Sequence, residues 1–295
     1  MKPLELLRRS AGKSPGYLAR RGYDELRLRV RSRGLRRDLE ALSAADVAQR
    51  CGVSSLPELW RGQPFNAFRL SAGEREAIRA LSAGPYAAER EALRRRVERI
   101  LSHEFDLLGS GPTALGPEID WSRDFKSGRK WDLVPSETID AAELSRESDV
   151  KVPWELSRCQ HFTALGRAWV IERDPRLPAE LEAQVRSWIR HNPAGMGVNW
   201  ASTMDVALRA VSWIWTLGLF DDAPLSDGFR EEMLLALYRH GLWIPEHLEM
   251  GEVNGNHLLS DALGLVACGT VFRDSEEGRR WLTLGSALLE REIQS

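Results

Sequence analysis

The stretch ASTMDVALRAVSWIWTLGLF, residues 201–220, is apolar on nearly every side when it is drawn as a helix. Ser202 or Thr203 can cap its first turn, because a side-chain hydroxyl there accepts a hydrogen bond from a free backbone N–H. A helix without a polar face is buried on most sides. The stretch therefore predicts a helix that the rest of the chain must cover.

The neighbouring segments also combine an apolar stripe with a polar connection. They predict further helices from Pro153 to about Arg173, from Pro178, from about Asp227 to Glu249, from Leu258 to Val271 and from about Glu276 onward. No alternating stretch is long enough to require a sheet of any size. The sequence thus predicts an all-α body of consecutive helical hairpins, and periodicity alone leaves a bundle, a solenoid and a toroid open.

The chain is divided by composition into residues 1–110, a helical N-terminal region, and residues 111–295, the main domain. Residues 1–50 predict one or two amphipathic helices interrupted at Gly34, and residues 74–108 predict another helix. Residues 109–135 are rich in glycine and proline but contain tryptophans that need a packing partner. We expect an ordered loop or short strands there.

The charge distribution favours no nucleic-acid partner. The net charge is −2, although the first 50 residues hold 13 Lys and Arg against 6 Asp and Glu. These arginines alternate with apolar residues at helical spacing, which is typical of a solvated helix face.

Three widely spaced cysteines, without a CxxC pair, indicate neither a disulfide framework nor a metal site. No apolar stretch approaches the roughly 18 to 20 residues that span a bilayer. The beginning, MKPLELLRRS, lacks the continuous apolar segment of a secretion signal. We expect a cytoplasmic location, and a periplasmic one would require a signal outside these residues.

Three loops hold more polar side chains than a connection needs: DVKVPWELSRCQH (149–161), NPAGMGVNWASTMD (192–205) and EVNGNHLLSD (252–261). Each lies just before an apolar helix. In a toroid of hairpins such loops would meet at one cleft, so we expect their polar side chains to converge there. The candidates for this site are Arg158, His161, Asn199, Trp200, Arg209, Asn256 and His257.

The sequence is also consistent with structural roles for the same residues. Asn254 or Asn256 could cap a helix that begins near Leu258, with Gly255 supplying a positive φ. His257 could be a hydrogen-bonded core histidine. Arg158, Asp205 and Arg209 could each belong to a structural ion pair.

Four segments taken together are similar to the heparinase II/III family of polysaccharide lyases: DWSRDFKSGRKW (120–131), DVKVPWELSRCQHFTALGRAW (149–169), GVNWASTMDVALRAVSWIW (197–215) and NGNHLLSDALGLVACG (254–269). The resemblance implies an incomplete α/α toroid, which is followed in that family by a β-sandwich. It also implies cleavage of acidic, uronic-acid-containing polysaccharides such as heparan sulfate or alginate by β-elimination, without a cofactor or metal.

By the same resemblance, Asn256 neutralises the substrate carboxylate and His257 lies beside it. The C5 proton of a uronate is weakly acidic while the adjacent carboxylate is ionised, so hydrogen bonds to that group must absorb the developing charge. The remaining candidates, Arg158, His161, Asn199, Trp200 and Arg209, are expected to bind the polysaccharide.

The family's tyrosine base and sandwich histidine match no position up to Ser295, and none of Tyr17, Tyr23, Tyr86 and Tyr238 stands at the motif position. We therefore expect the 295 residues alone to be inactive. A non-catalytic module that binds acidic glycan or another partner is the alternative. A toroid hydrolase would need paired carboxylates, for which Glu155 and Asp205 are the loop candidates. The sequence does not indicate an oligomeric state.

Overall fold

The computed structural model describes residues 15–141, 147–250 and 255–294. The chain forms two compact units, Met1–Ala41 and Leu42–Ser295. In the first unit, helix α1 (Pro15–Ala41) is continuous. The predicted interruption at Gly34 is wrong, because a single glycine inside a helix costs only about 0.5–1 kcal/mol relative to alanine. The predicted boundary between residues 1–110 and 111–295 stays a prediction.

The second unit begins with four helices and a short hairpin. They are α2 (Ala44–Arg50), α3 (Leu56–Arg61), α4 (Ala72–Ala83), α5 (Ala87–Leu101), β1 (Glu104–Phe105) and β2 (Thr113–Ala114). The single helix predicted for residues 74–108 is two helices, because Gly84 leaves the helical region at φ −110° and ψ −109°. A capping box between Ser71 and Glu74 fixes the start of α4.

The glycine-rich segment after α5 is ordered, as predicted. Strands β1 and β2 pair antiparallel, and Trp121 and Trp131 are buried. The buried Asp124 carboxylate accepts hydrogen bonds from the backbone N–H groups of Lys126 at 2.9 Å and Asp149 at 2.8 Å. This carboxylate thereby joins the segment to the first polar loop.

The main body consists of further helices: α6 (Lys151–Ser157), α7 (His161–Glu172), α8 (Arg176–His191), α9 (Thr203–Leu219), α10 (Asp227–Trp243), α11 (Asn256–Val271) and α12 (Glu276–Gln294). The helix predicted from Pro153 to Arg173 is broken between α6 and α7. Cys159 has φ 54° there, in the left-handed region that a residue with a side chain rarely adopts. Because of this break, Arg158 lies at the end of α6 and His161 at the start of α7.

Helix α9 is the buried helix predicted from residues 201–220. Ser202 caps it, since the Ser202 side chain accepts a hydrogen bond from the Asp205 N–H. Helix α11 packs closely against α9 at Gly264, where an added Cβ would lie 2.6 Å from the Ala207 Cβ. Helix α12 approaches α11 just as closely at Gly269, where an added Cβ would lie 2.5 Å from the Leu282 N.

The predicted fold class, an all-α incomplete toroid of helical hairpins, is confirmed. Across the described ranges, β1 and β2 are the only paired strands. Within the same ranges, no helix has the length and apolar character needed to cross a membrane.

Candidate functional site

The first turn of α9 is the place where the three polar loops meet. From the first loop, the Arg158 Nε donates to the Asp205 Oδ1 at 2.6 Å. From the residue just ahead of the third loop, Glu249, the Oε1 accepts a hydrogen bond from the Thr203 N–H at 2.5 Å. The start of α9 therefore contacts the first loop directly and the third loop through Glu249 and His257. That the predicted side chains all face one cleft stays a prediction.

Asn256 is the first residue of α11, and its side chain is exposed. Gly255 holds the N-cap position at φ −146° and ψ −154°, without a side-chain cap. The capping interpretation of Asn256 is wrong for that reason, and so is a positive φ at Gly255. Asn254 lies outside the described residues.

His257 is not a core histidine, because 48% of its side chain is exposed. Its Nδ1 binds the Oε2 of Glu249. The same carboxylate accepts hydrogen bonds from the N–H groups of Thr203 and Met204, at 2.5 and 3.2 Å from Oε1. Glu249 thus joins the candidate histidine to the start of the buried helix.

Arg158 lies in a structural ion-pair network. Its guanidinium binds both Glu155 and the fully buried Asp205. A buried carboxylate persists only when a cation or several donors neutralise it. Because Glu155 and Asp205 both bind Arg158, they do not form a free acid and base pair for hydrolysis.

Arg209 is fully buried in an aromatic enclosure beneath this network. Its guanidinium carbon lies 4.1 Å from the Trp188 ring centre and 5.5 Å from that of Trp200. The Arg209 Nε donates to the His240 Nε2 at 2.9 Å, and His240 Nδ1 is 2.7 Å from the Ala236 carbonyl. Burial lowers the pKa of Arg209 to about 10 and, with the nearby arginine charge, holds that of His240 well below its ordinary value.

The other predicted binding residues are also buried. The Asn199 Nδ2 donates to the Trp121 carbonyl and to the Asn192 Oδ1, both at 2.8 Å. The Trp200 Nε1 donates to the Asn192 carbonyl at 3.2 Å. These bonds hold the second loop in shape.

His161 is 7% exposed and its Nε2 lies 2.8 Å from the Gln184 Oε1. Burial lowers the pKa of His161 to about 4, so the ring is neutral near pH 7. Of the seven predicted residues, Asn256 and His257 are therefore exposed and Arg158 is partly exposed, whereas His161, Asn199, Trp200 and Arg209 are enclosed by protein. Substrate binding by these residues stays a prediction.

Glu249 is not among the predicted site residues, because the apolar pattern predicts a helix that runs from Asp227 to this residue. Helix α10 instead ends at Trp243, followed by a short 3₁₀ turn over Ile244–Glu246. Pro245 lacks the N–H that would continue the α-helical bonding. That proline was the available signal for an earlier helix end.

Asp261 supports Glu249 from the next turn of α11. Its buried Oδ2 accepts the Glu249 N–H at 2.8 Å. Burial, with a smaller effect of the Glu249 charge, raises the pKa of Asp261 from 3.8 to about 7, although that N–H and the His257 charge oppose the rise. Among the described residues, no group of three or more His, Cys, Asp and Glu could hold a metal ion.

The raised pKa of Asp261 predicts a pH-dependent stability. The folded state binds this proton more tightly than the unfolded state, so the free energy of unfolding falls as the pH rises from about 4 to about 7. Asp261→Asn keeps the acceptor for the Glu249 N–H without the charge. We expect the stability advantage of the variant over the wild type to grow between pH 5 and pH 8, by on the order of a few kcal/mol.

Urea unfolding at a series of pH values measures this difference. Asp132→Asn is the control, because Asp132 is exposed. A difference between Asp261→Asn and the wild type that stays constant with pH would show that burial does not perturb this carboxyl.

A match to a family model shows which protein family the chain belongs to. Residues 75–295 match the model for the heparinase II/III N-terminus. The chain belongs to this family. This heparinase II/III-type chain is also 26% identical to the heparin-sulfate lyase of Bacteroides stercoris, over 49% of the chain and 24% of that lyase. It thus spans about a quarter of the length of this relative.

Solved structures resemble the heparinase II/III-type fold. The heparan sulfate lyase HepC from Pedobacter heparinus superposes with a TM-score of 0.55 at 23% identity, covering 69% of this chain and 29% of that chain. A heparinase III gene product with methylated lysines superposes with a TM-score of 0.54 at 21% identity, covering 68% of this chain and 31% of that chain. At these identities the likeness shows the fold alone.

Proposed function

We propose that this chain belongs to a polysaccharide lyase that cleaves uronic-acid-containing polymers by β-elimination. In this proposal, it supplies the part of the active site that neutralises the substrate carboxylate. The observation that supports this most directly is the exposed Asn256 beside His257 at the first turn of α11. The heparin-sulfate lyase relative makes heparan sulfate the first substrate to test.

The local charge arrangement suits a carboxylate ligand. Gly255 at the N-cap of α11 supplies no side-chain cap, so the backbone N–H groups and the helix dipole of the first turn favour an anion. The Asn256 amide is neutral and can donate a hydrogen bond without competing for the C5 proton. As that proton leaves, these donors stabilise the charge that develops on the carboxylate.

The base and the acid of the reaction are proposed to come from parts of the protein beyond these 295 residues. Tyr238 does not suit the role of base, because it is fully buried and burial raises its pKa to about 12. The 295 residues by themselves are accordingly proposed to bind acidic oligosaccharide without cleaving it.

The test is incubation of the full gene product with heparan sulfate, its desulfated form, alginate and a neutral polysaccharide. Elimination leaves a double bond in the new non-reducing uronate, so we expect the absorbance of unsaturated uronate to rise with a uronate polymer. New reducing ends without that absorbance would identify a hydrolase. Binding without either product would favour the non-catalytic glycan-binding alternative.

A further inference from the structure

Glu249 makes contacts that distinguish its two carboxylate oxygens. Oε1 accepts from the backbone N–H groups of Thr203 and Met204. Oε2 binds His257 Nδ1. The carboxylate is therefore fixed from one side by the start of α9 and offers its other oxygen to the histidine.

This arrangement decides which ring nitrogen of neutral His257 carries the proton. A carboxylate oxygen only accepts hydrogen bonds, so the nitrogen that contacts it must be the N–H nitrogen. Neutral imidazole has one N–H and one acceptor nitrogen. With Nδ1–H donated to Glu249, Nε2 is the acceptor, and it has no hydrogen-bond partner among the described residues.

The support for Glu249 is itself built into the fold. Its backbone N–H donates to the buried Asp261, and the neighbouring His247 carbonyl accepts from the Thr203 Oγ1 at 2.6 Å. With the two bonds to Oε1, four hydrogen bonds to α9 and α11 therefore hold Glu249 and the backbone just before it. A carboxylate held in this way can orient a histidine without moving itself.

We propose that Glu249 is a positioning residue that holds His257 in its Nδ1–H form and so presents Nε2 to the substrate as an acceptor. The position of the ring proton does not depend on the proposed lyase function; only its effect on catalysis does. This arrangement divides the two candidate residues: Asn256 donates to the substrate carboxylate, while the Nε2 of neutral His257 accepts a hydrogen bond from a substrate hydroxyl.

Glu249→Gln tests the assignment. The amide oxygen of glutamine is held against the two N–H donors of α9, because turning the NH₂ toward them would oppose donor to donor. The NH₂ group then faces His257 Nδ1, which must accept. We expect the neutral ring to change from the Nδ1–H to the Nε2–H form while the melting temperature stays near that of the wild type.

Ring ¹⁵N chemical shifts of the labelled 295-residue chain measure this directly, at a pH where titration shows the ring to be neutral. His257→Ala assigns the signal. Glu232→Gln is the matched control, because Glu232 is half-exposed on α10 and pairs with Arg186; it should leave the His257 form unchanged. An Nε2–H ring in the wild type, or an unchanged ring in Glu249→Gln, overturns the proposal.

Kinetics of the full gene product supply the second readout. We expect Glu249→Gln to lower kcat by about tenfold or more, with a much smaller change in KM, because the loss of a hydrogen bond that strengthens in the transition state lowers kcat more than it weakens substrate binding. Unchanged kcat beside a changed ring form would overturn the positioning role. Absence of elimination by the wild type would overturn the proposed function, while the ring measurement would still decide whether Glu249 sets the proton position.

Discussion

Asn256→Ala is expected to lower the turnover of uronate polymer by the full gene product roughly a hundredfold or more, the loss typical of one donor to a developing oxyanion. The melting temperature should scarcely change. Asn256 is exposed, and the cap position before α11 belongs to Gly255. A functional loss without a structural one is thus the expected signature of this residue.

Two further variants make this result interpretable. Asn256→Asp should be worse than alanine, because a carboxylate that faces the substrate carboxylate adds repulsion where charge must be absorbed. Asn66→Ala, the same change at another exposed asparagine, should leave turnover unchanged. Normal turnover by Asn256→Ala together with a lower melting temperature would assign Asn256 a structural role instead.

Arg209→Ala is expected to produce the largest loss of stability, about 3–5 kcal/mol, because truncating a large buried side chain leaves a cavity and an unpaired buried acceptor. The change empties the space between Trp188 and Trp200 and leaves the His240 Nε2 without its donor. Asp205 also loses the favourable charge of Arg209. A melting temperature lower by on the order of 10 °C is the corresponding observation.

The chain offers matched comparisons for Arg209. Arg167→Ala removes an exposed arginine from α7 and should change stability by no more than about 0.5 kcal/mol. Arg209→Met keeps much of the volume, so it should be less destabilising than alanine. A loss below about 1 kcal/mol for Arg209→Ala would show that the aromatic enclosure closes without the guanidinium.

The sequence predicted the helices where burial controls the apolar pattern, and α9 is the clearest case. It did not predict the ends that depend on single backbone angles. Cys159 adopts φ 54°, a cost that tertiary packing must offset and that local propensity does not reveal. Gly34 shows the opposite, because it lies inside a continuous helix although its residue type favours a break.

For the site, the sequence placed polar residues in three loops, and parts of these loops contact the start of α9, directly or through Glu249. It could not tell a side chain that faces solvent from one that faces protein. Asn199 and Arg209 are polar, yet they are fully buried because neighbouring groups satisfy or enclose them. Glu249 was missed because the sequence predicts a helix that ends there, and because Thr203 and Met204, whose N–H groups it binds, lie 46 and 45 residues away.

The close contact between Gly264 and Ala207 controls the position of α11, because it requires a residue without a Cβ. An added Cβ at Gly264 would lie 2.6 Å from the Ala207 Cβ, closer than two methyl groups can approach, so the helix would have to tilt or slide. Asn256 lies eight residues away, about 12 Å along a rigid rod at 1.5 Å per residue. A displacement of about 1 Å is enough to disturb catalysis. The position of the exposed Asn256 amide therefore depends on the absence of a side chain at a buried glycine eight residues along the same helix.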